Sequence, residues 1–389
     1  MSESTNIRLR GLQEEAGTAG TCLTGSLAGA TFRFRTTSPE LATYAQIHLE
    51  PVLGAVDTPR ADVMLRWHEG QPPREPLTAF PHLAGMERLD RDLYVGPGQL
   101  HWFRVDDMRD LYLRLRWHEG QLRVDGDFFH RLSKGPHRDR AKRLLYRRRV
   151  GQLRRRRFTT LLYYLIYYPC WWWLEQTQDL HPIHAAGVQT DTSVILLGGA
   201  SGVGKSTLAV ALAMTPGARL LSDSFVLHTG TDVRAVREPV LLDAWSRRWL
   251  GQRGAELRAL DWRYCLNRAG YQLPAQRLSA GGQAGLLLFP RRAPQPYVRR
   301  ISSEQAHQRM SAAHLIINDL RRYWAFAAIV EQMVPGRLML RRESQLAKLT
   351  AGVPAYELGL QAEVTCPAAV EAIMRLKPDA HAQVAGSRL

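Results

Sequence analysis

GASGVGKS, residues 199–206, decides the fold. The string satisfies G-x-x-x-x-G-K-[ST] in full, and its flanks are those the motif requires. Residues 193–197 (SVILL) lead in as a continuous apolar run, the pattern of a strand buried on both faces. Residues 204–214 lead out with a helical pattern. Glycines at 199, 202 and 204 allow positive φ and leave no Cβ between backbone and ligand. The N–H groups along Gly199, Ala200, Ser201, Gly202, Val203 and Gly204 can then turn inward around phosphate oxygens. The helix N-terminus adds partial positive charge at the same point. Lys205 is placed to neutralise β- and γ-phosphates, the Ser206 hydroxyl to ligate Mg²⁺, and Thr207 to sit nearer the α-phosphate. The reading is a nucleoside triphosphate site for ATP with Mg²⁺, with GTP and pyrophosphate as other donors.

Around this loop, residues 158–380 read as α/β. Residues 219–221 and 225–228 are expected as strands flanking a turn at the sheet edge. GLLLF (285–289) is expected as a buried strand stopped by Pro290. Ser302 and Gln305 form a capping box that opens a helical stretch to about Met333. A strand at 355–360 and a helix at 367–376 follow, and the tail 381–389 is expected to fray.

Residues 1–130 read as a smaller α+β unit. ATFRFR (30–35) alternates as a strand, and Ser38 followed by Pro39 opens a helix expected to reach Leu53. Residues 63–68 and 111–118 alternate again. The string LRWHEGQ occurs at 65–71 and at 115–121. Both copies read as strand ends whose His and Glu are solvated turn residues.

Between the two units, residues 131–157 hold thirteen Lys+Arg and one acid, Asp139. Such a run suits an acidic partner, a nucleic acid, a membrane surface or simply a solvated helix face. With Tyr146 its one aromatic, it lacks stacking platforms, which disfavours nucleic acid. Residues 158–174 (FTTLLYYLIYYPCWWWL) imitate a membrane span but number seventeen and include Pro169. A buried helix under the nucleotide unit is the expectation, not a span.

The chain has 389 residues, 45% hydrophobic, which suggests two domains. Its 52 Lys+Arg against 36 Asp+Glu give a net charge of +16 and attract anions of several classes. Cys22, Cys170, Cys265 and Cys366 show no metal-ligand spacing and read as free thiols of a reducing, cytoplasmic setting. The first residues contain no apolar h-region of a secretory signal.

Two flanking pieces narrow the chemistry. Upstream lies HPIHAAGV (181–188) with His184. Downstream lies LLSDSFV (220–226) with Asp223. With GASGVGKST these resemble the HPr kinase/phosphorylase-like P-loop kinases. His184 stands fifteen residues before Gly199, as in that pattern, and Asp223 takes the place of the acid that follows the loop lysine. GLLLFP and residues 346–360 look like the C-terminal portion of divergent members. The resemblance covers residues 158–380. It implies a P-loop kinase domain with a mixed or parallel sheet flanked by helices, preceded by the α+β unit as a substrate-recognising domain. It implies transfer of a γ-phosphoryl group to a serine-type hydroxyl of a peptide, protein or small molecule. Asp223 would take the hydroxyl proton or hold the metal, His184 would orient or tune it, and Lys205 would stabilise charge. Relatives of this kind commonly form homo-oligomers.

The chain departs from that pattern in two places. Ser224 stands where many relatives carry a second acid, so Glu238 or Asp243 is the candidate for a further carboxylate. Lys-Ser-Thr replaces Lys-Ser-Glu. The expectation is therefore a divergent relative, not the HPr kinase itself. The competing readings are a nucleotide-regulated nucleic-acid or membrane-surface binder and an ATPase without transfer.

Overall fold

In residues 30–36 every second side chain is buried, so one face of that strand meets the core and the other meets solvent. It belongs to the first of three sheets. The structure is a computed structural model, described here over residues 21–72, 83, 85–133, 135–146, 150–260, 268–334, 338–361 and 364–376. Cys265, the N-terminal segment 1–20 and the tail from residue 377 lie outside the described residues.

Eight strands form the first sheet: β1 (Thr21–Leu27), β2 (Ala30–Thr36), β3 (Ala61–Glu69), β4 (Glu87–Asp90), β5 (Leu93–Gly96), β6 (Gln99–Trp102), β7 (Leu111–His118) and β8 (Gln121–His130). Their order is β1-β2-β3-β8-β7-β6-β5-β4. The β2–β3 and β3–β8 pairs are parallel. The crossover from β2 to β3 is helix α1 (Pro39–Leu49), where the Ser38 hydroxyl accepts from the Leu41 amide at 3.3 Å. The helix stops at Leu49 rather than Leu53, and Glu50–Val52 tightens into a 3₁₀ turn.

The repeated string meets two environments. At the second copy His118 ends β7 and Glu119 begins the turn, with side chains 84% exposed, as expected of solvated residues. At the first copy the expectation fails, because β3 lies beside β8 and the arginine-rich helices. His68 Nε2 lies 2.8 Å from Asp127, and Glu69 accepts from Trp67, Arg143 and Arg154.

Those arginines come from α2 (Pro136–Leu145) and α3 (Val150–Leu162). Arg154 and Arg155 also pair with Glu40, and Arg131 pairs with Asp110. Part of the basic run is thus engaged by acids of the first sheet and its helix. α3 continues through a π-helical turn (Tyr163–Tyr167) into α4 (Tyr168–Gln178). That turn lies just before Pro169, whose ring would meet the residue 165 carbonyl in an unbroken α-helix. The segment is buried, as expected, and it seals the first sheet: Trp172 meets Trp117 at 5.0 Å on one side. On another side Tyr168 meets Tyr323 at 5.6 Å. Among the described residues no helix is long and apolar enough to cross a membrane.

At the end of α4, buried Glu175 accepts from Arg342 Nε at 2.7 Å and from the Tyr323 hydroxyl, with His181 Nδ1 at 3.0 Å. Burial pushes its carboxyl up, but Arg342 and His181 outweigh burial and hold it down at about 2. Glu175→Gln leaves Arg342 facing a neutral partner in the interior and should cost about 3–5 kcal/mol in urea unfolding. The folded pKa lies below the ordinary 4.5, so this contribution is complete above 4.5 and fades as pH falls toward about 2. Wild-type stability should therefore drop across that window more steeply than that of Glu175→Gln.

The second sheet holds β9 (His181–Ile183), β10 (Ala186–Gln189), β11 (Val194–Leu197), β12 (Arg219–Ser222), β13 (Val226–Thr229) and β14 (Asp232–Ala235). A small third sheet holds β15 (Val240–Asp243), β16 (Arg258–Ala259) and β17 (Arg268–Gln272). β18 (Gly281–Arg292), β19 (Tyr297–Ile301) and β20 (Ala355–Leu360) complete the second. Its order is β12-β10-β11-β18-β14-β13-β9, with β20 on β18 and β19 on β20. The β11–β18 and β18–β20 pairs are parallel, and the rest are antiparallel. The architecture is mixed α/β, with mixed sheets flanked by helices.

Pro290 does not stop β18. The Leu287 amide donates toward β20, to the Pro354 carbonyl, while Leu288 accepts from Gly198 on the β11 side. Alternation turns position 290 to the β11 side, past Leu288, the last residue β11 pairs, so no ladder donor is missing there. The Ser302–Gln305 capping box is present. The helical stretch beyond it is two helices, Ser303–Ile316 and Asn318–Val330, because Ile317 is extended. Asn318 and Asp319 are short polar residues that favour a new N-terminus.

Candidate functional site

The site begins with backbone geometry. β11 ends at Leu197, and Gly199, Gly202 and Gly204 then take φ of 105°, 82° and 94°. Helix Lys205–Ala213 follows. Ala200, Ser201 and Gly202 are exposed, so the loop opens to solvent, whereas Lys205 is buried. Lys205 Nζ donates to the carbonyls of Gly199 at 2.8 Å and Ala200 at 2.7 Å. Burial lowers its pKa to about 8, and the Asp223 charge partly opposes that shift.

A bend in the sheet brings the distant residues to this loop. β9 and β10 form one bent strand, and β12 and β13 form another. Ile183 pairs with Val226, and Gly187 pairs with Ser222. Between these pairs, His184 and Ala185 face Asp223, Ser224 and Phe225. The Ser222 hydroxyl holds the bend by accepting from the Ser224 and Phe225 amides at 3.3 Å each. The expected edge turn is therefore corrected: β12 is an edge strand, but β13 lies between β14 and β9. A mid-sheet bend, not a hairpin, presents Asp223.

Asp223 is buried, and burial pushes its carboxyl up to about 6. The Leu241 amide and the Ser224 and Ser206 hydroxyls limit the rise. Ser206 Oγ also donates to the Asp223 carbonyl at 3.3 Å. Ser224 donates to Asp223 Oδ1 at 3.2 Å, so a hydrogen-bond donor occupies the place of a second acid. His184 is buried against Phe225, ring to ring at 5.3 Å. Burial lowers its pKa to about 3, and the charge of Lys205 adds to this. The Ser224 backbone partly opposes the lowering, and the ring stands by the bend with no hydrogen bond to Asp223 among the described residues.

Glu238 keeps some solvent exposure, but its Oε1 is buried without a hydrogen-bond partner among the described residues. Burial raises this carboxyl to about 8; the Tyr163 hydroxyl opposes the rise, and the charges of Asp223 and Asp319 add to it. Among the described residues no three His, Cys, Asp or Glu side chains converge as a metal cage. Mg²⁺ on a nucleotide does not need one, since one or two carboxylates plus phosphate oxygens suffice. Ser206 and Asp223, which lie in contact, fit that requirement, and Glu238 is near enough for the Asp223 charge to act on it.

Asp243 serves a different purpose. Its Oδ1 accepts from the Ser246 amide at 2.7 Å and caps helix Ala244–Leu250. These cap bonds hold its carboxyl below the usual range. Thr207 turns to the same helix and donates to Ser246 Oγ at 2.9 Å. Asp243→Ala should cost about 1 kcal/mol in unfolding and leave the Mg²⁺ requirement of turnover unchanged. Glu238→Gln should raise the Mg²⁺ concentration for half-maximal turnover.

Sequence reasoning missed Tyr163, hidden in an apolar run, and Asp319, hidden in a helical stretch. Neither has a local pattern to betray it. No protein-family model matches the chain, and no curated protein matches its sequence.

Proposed function

We propose that this chain is an ATP-dependent kinase, a divergent relative of the HPr kinase-like P-loop enzymes, acting on a serine-type hydroxyl. The observation that carries the reading is the contact between loop and bend: Ser206 of the phosphate loop bonds Asp223, and Asp223 and Lys205 attract one another. A kinase needs this juxtaposition, because phosphoryl transfer is mostly positioning and charge stabilisation.

The loop amides and Lys205 bind the phosphates. The carbonyls of Gly199 and Ala200 hold Lys205 until phosphate oxygens replace them as acceptors. Mg²⁺, held by Ser206 and Asp223 and by Glu238 once it has lost its proton, would supply charge neutralisation on the β- and γ-oxygens. Asp223, with a pKa near 6, is mostly ionised at neutral pH and can take the acceptor's proton. The acceptor oxygen then bonds the γ-phosphorus, the bond from that phosphorus to the bridging oxygen breaks, and ADP leaves with the electron pair. His184, neutral throughout this range, packs behind the bend and positions it.

The surface-binding reading has less to stand on, since Arg131, Arg143, Arg154 and Arg155 already pair with acids of the chain. Incubation with γ-labelled ATP, Mg²⁺ and serine-containing acceptor pools tests the kinase reading. Label should pass to an acceptor and fail to do so in Lys205→Ala. Turnover indifferent to every acceptor would favour a plain ATPase.

A further inference from the structure

A cavity of about 750 Å³ adjoins the phosphate loop, and the mechanism above makes no use of it. Gly202, Val203, Gly204 and Thr207 form one wall, and Trp245 and Trp249 form part of another. Arg292 and Leu360, the last residues of β18 and β20, line it too. The parallel strands β11, β18 and β20 therefore all end at this spot. In open α/β sheets the crevice outside the carboxyl ends of parallel strands is where ligands bind.

We infer that this cavity is the nucleobase site, in which the base stacks on Trp245. The inference rests on the nucleotide reading of the loop and identifies the donor as a nucleotide rather than pyrophosphate or polyphosphate. Three observations carry it. The first is continuity: the cavity is lined by Thr207, read as the α-phosphate end of the loop, so a nucleoside attached to that phosphate can run directly into it. The second is the aromatic platform. Trp245 is 53% exposed, although it is the kind of side chain that folding usually covers. Its ring lies 6.2 Å from that of Trp249 and within 20° of parallel. Every nucleobase has a π-face that such a surface accepts.

The third observation is that the platform is built rather than accidental. Trp249 Nε1 donates to the Val364 carbonyl at 2.8 Å, which fixes the inner ring. Thr207 ties helix Ala244–Leu250 to the helix that carries Lys205 and Ser206. Asp243 caps the same short helix, which commits one of the cavity's few polar side chains to structure. The base would thus be gripped by its face, and phosphate and base sites would be rigidly linked through one hydroxyl pair.

Calorimetric titration of the full chain with Mg²⁺ and either ATP or inorganic tripolyphosphate tests this, in wild type, Trp245→Ala and Trp245→Phe. Stacking of one base on one aromatic side chain corresponds to about tenfold or more in affinity. Wild type should therefore bind ATP about tenfold or more tighter than tripolyphosphate. Trp245→Ala should lose that advantage and bind tripolyphosphate unchanged, while Trp245→Phe keeps most of it. Matching unfolding midpoints would show that the exposed substitution leaves the fold intact. If tripolyphosphate binds wild type as tightly as ATP, or Trp245→Ala binds ATP unchanged, the base site is wrong while the loop reading stands. If wild type binds neither, the loop reading fails and takes the base site with it.

Discussion

Lys205→Ala should lower the kcat/KM for ATP-dependent phosphoryl transfer by about a hundred- to a thousandfold, the scale set by loss of one preorganised charge-stabilising donor. The ammonium is buried and held between the Gly199 and Ala200 carbonyls at 2.8 and 2.7 Å. Its removal takes the fixed positive charge away from the phosphates and leaves two carbonyl oxygens facing them. Lys205→Arg should not rescue activity, because a planar guanidinium cannot take the place of a compact ammonium between two carbonyls. Initial rates with labelled ATP, alongside an unfolding midpoint for each variant, check both statements. Activity retained within a few-fold in Lys205→Ala would mean that the loop binds no reacting phosphate.

Asp223→Asn should cost about 10²–10⁴ in the same rate, the range for a positioned general base, and should also raise the Mg²⁺ concentration needed, because the lost carboxylate is a proposed metal ligand. The pH profile separates this role from a structural one. Asp223 must be ionised to take a proton, and its pKa stands raised to about 6, so activity falls as pH drops through that value. Lys205 must be charged, and its pKa stands lowered to about 8, so activity falls as pH rises past that value. The free-enzyme profile of kcat/KM should be a bell with limbs near 6 and 8. In Asp223→Asn the acid limb should vanish and the alkaline limb should remain. His184, lowered to about 3, adds no limb in this range, whereas Glu238, raised to about 8, must lose its proton to bind Mg²⁺, so saturating Mg²⁺ or Glu238→Gln is needed to see the two limbs alone.

How much of this was legible in the sequence follows from where each residue's partners lie. The loop was readable because strand, glycines, lysine and helix are contiguous, and their positive φ values are a local consequence of composition. The capping box at Ser302 and the strand at 355–360 were readable for the same reason. The bend was not. Whether Asp223 ends a hairpin or interrupts a long strand depends on the pairing of residues 181–189 with 219–229, which no short window contains. The two LRWHEGQ copies make the point sharply, since identical residues give an exposed turn at Glu119 and an ion-paired hub at Glu69. Trp245 gave no signal either, because its place beside the loop depends on the packing of helix Ala244–Leu250 on the distant helix that carries Thr207.

One measurement bears on the whole account: the structure of the chain with Mg²⁺ and a non-hydrolysable ATP analogue. The expected result is a triphosphate wrapped by the amides of residues 200–206, with its γ-phosphate within direct or single-water reach of the Asp223 carboxylate. A triphosphate bound elsewhere, or a γ-phosphate turned away from Asp223, would contradict it.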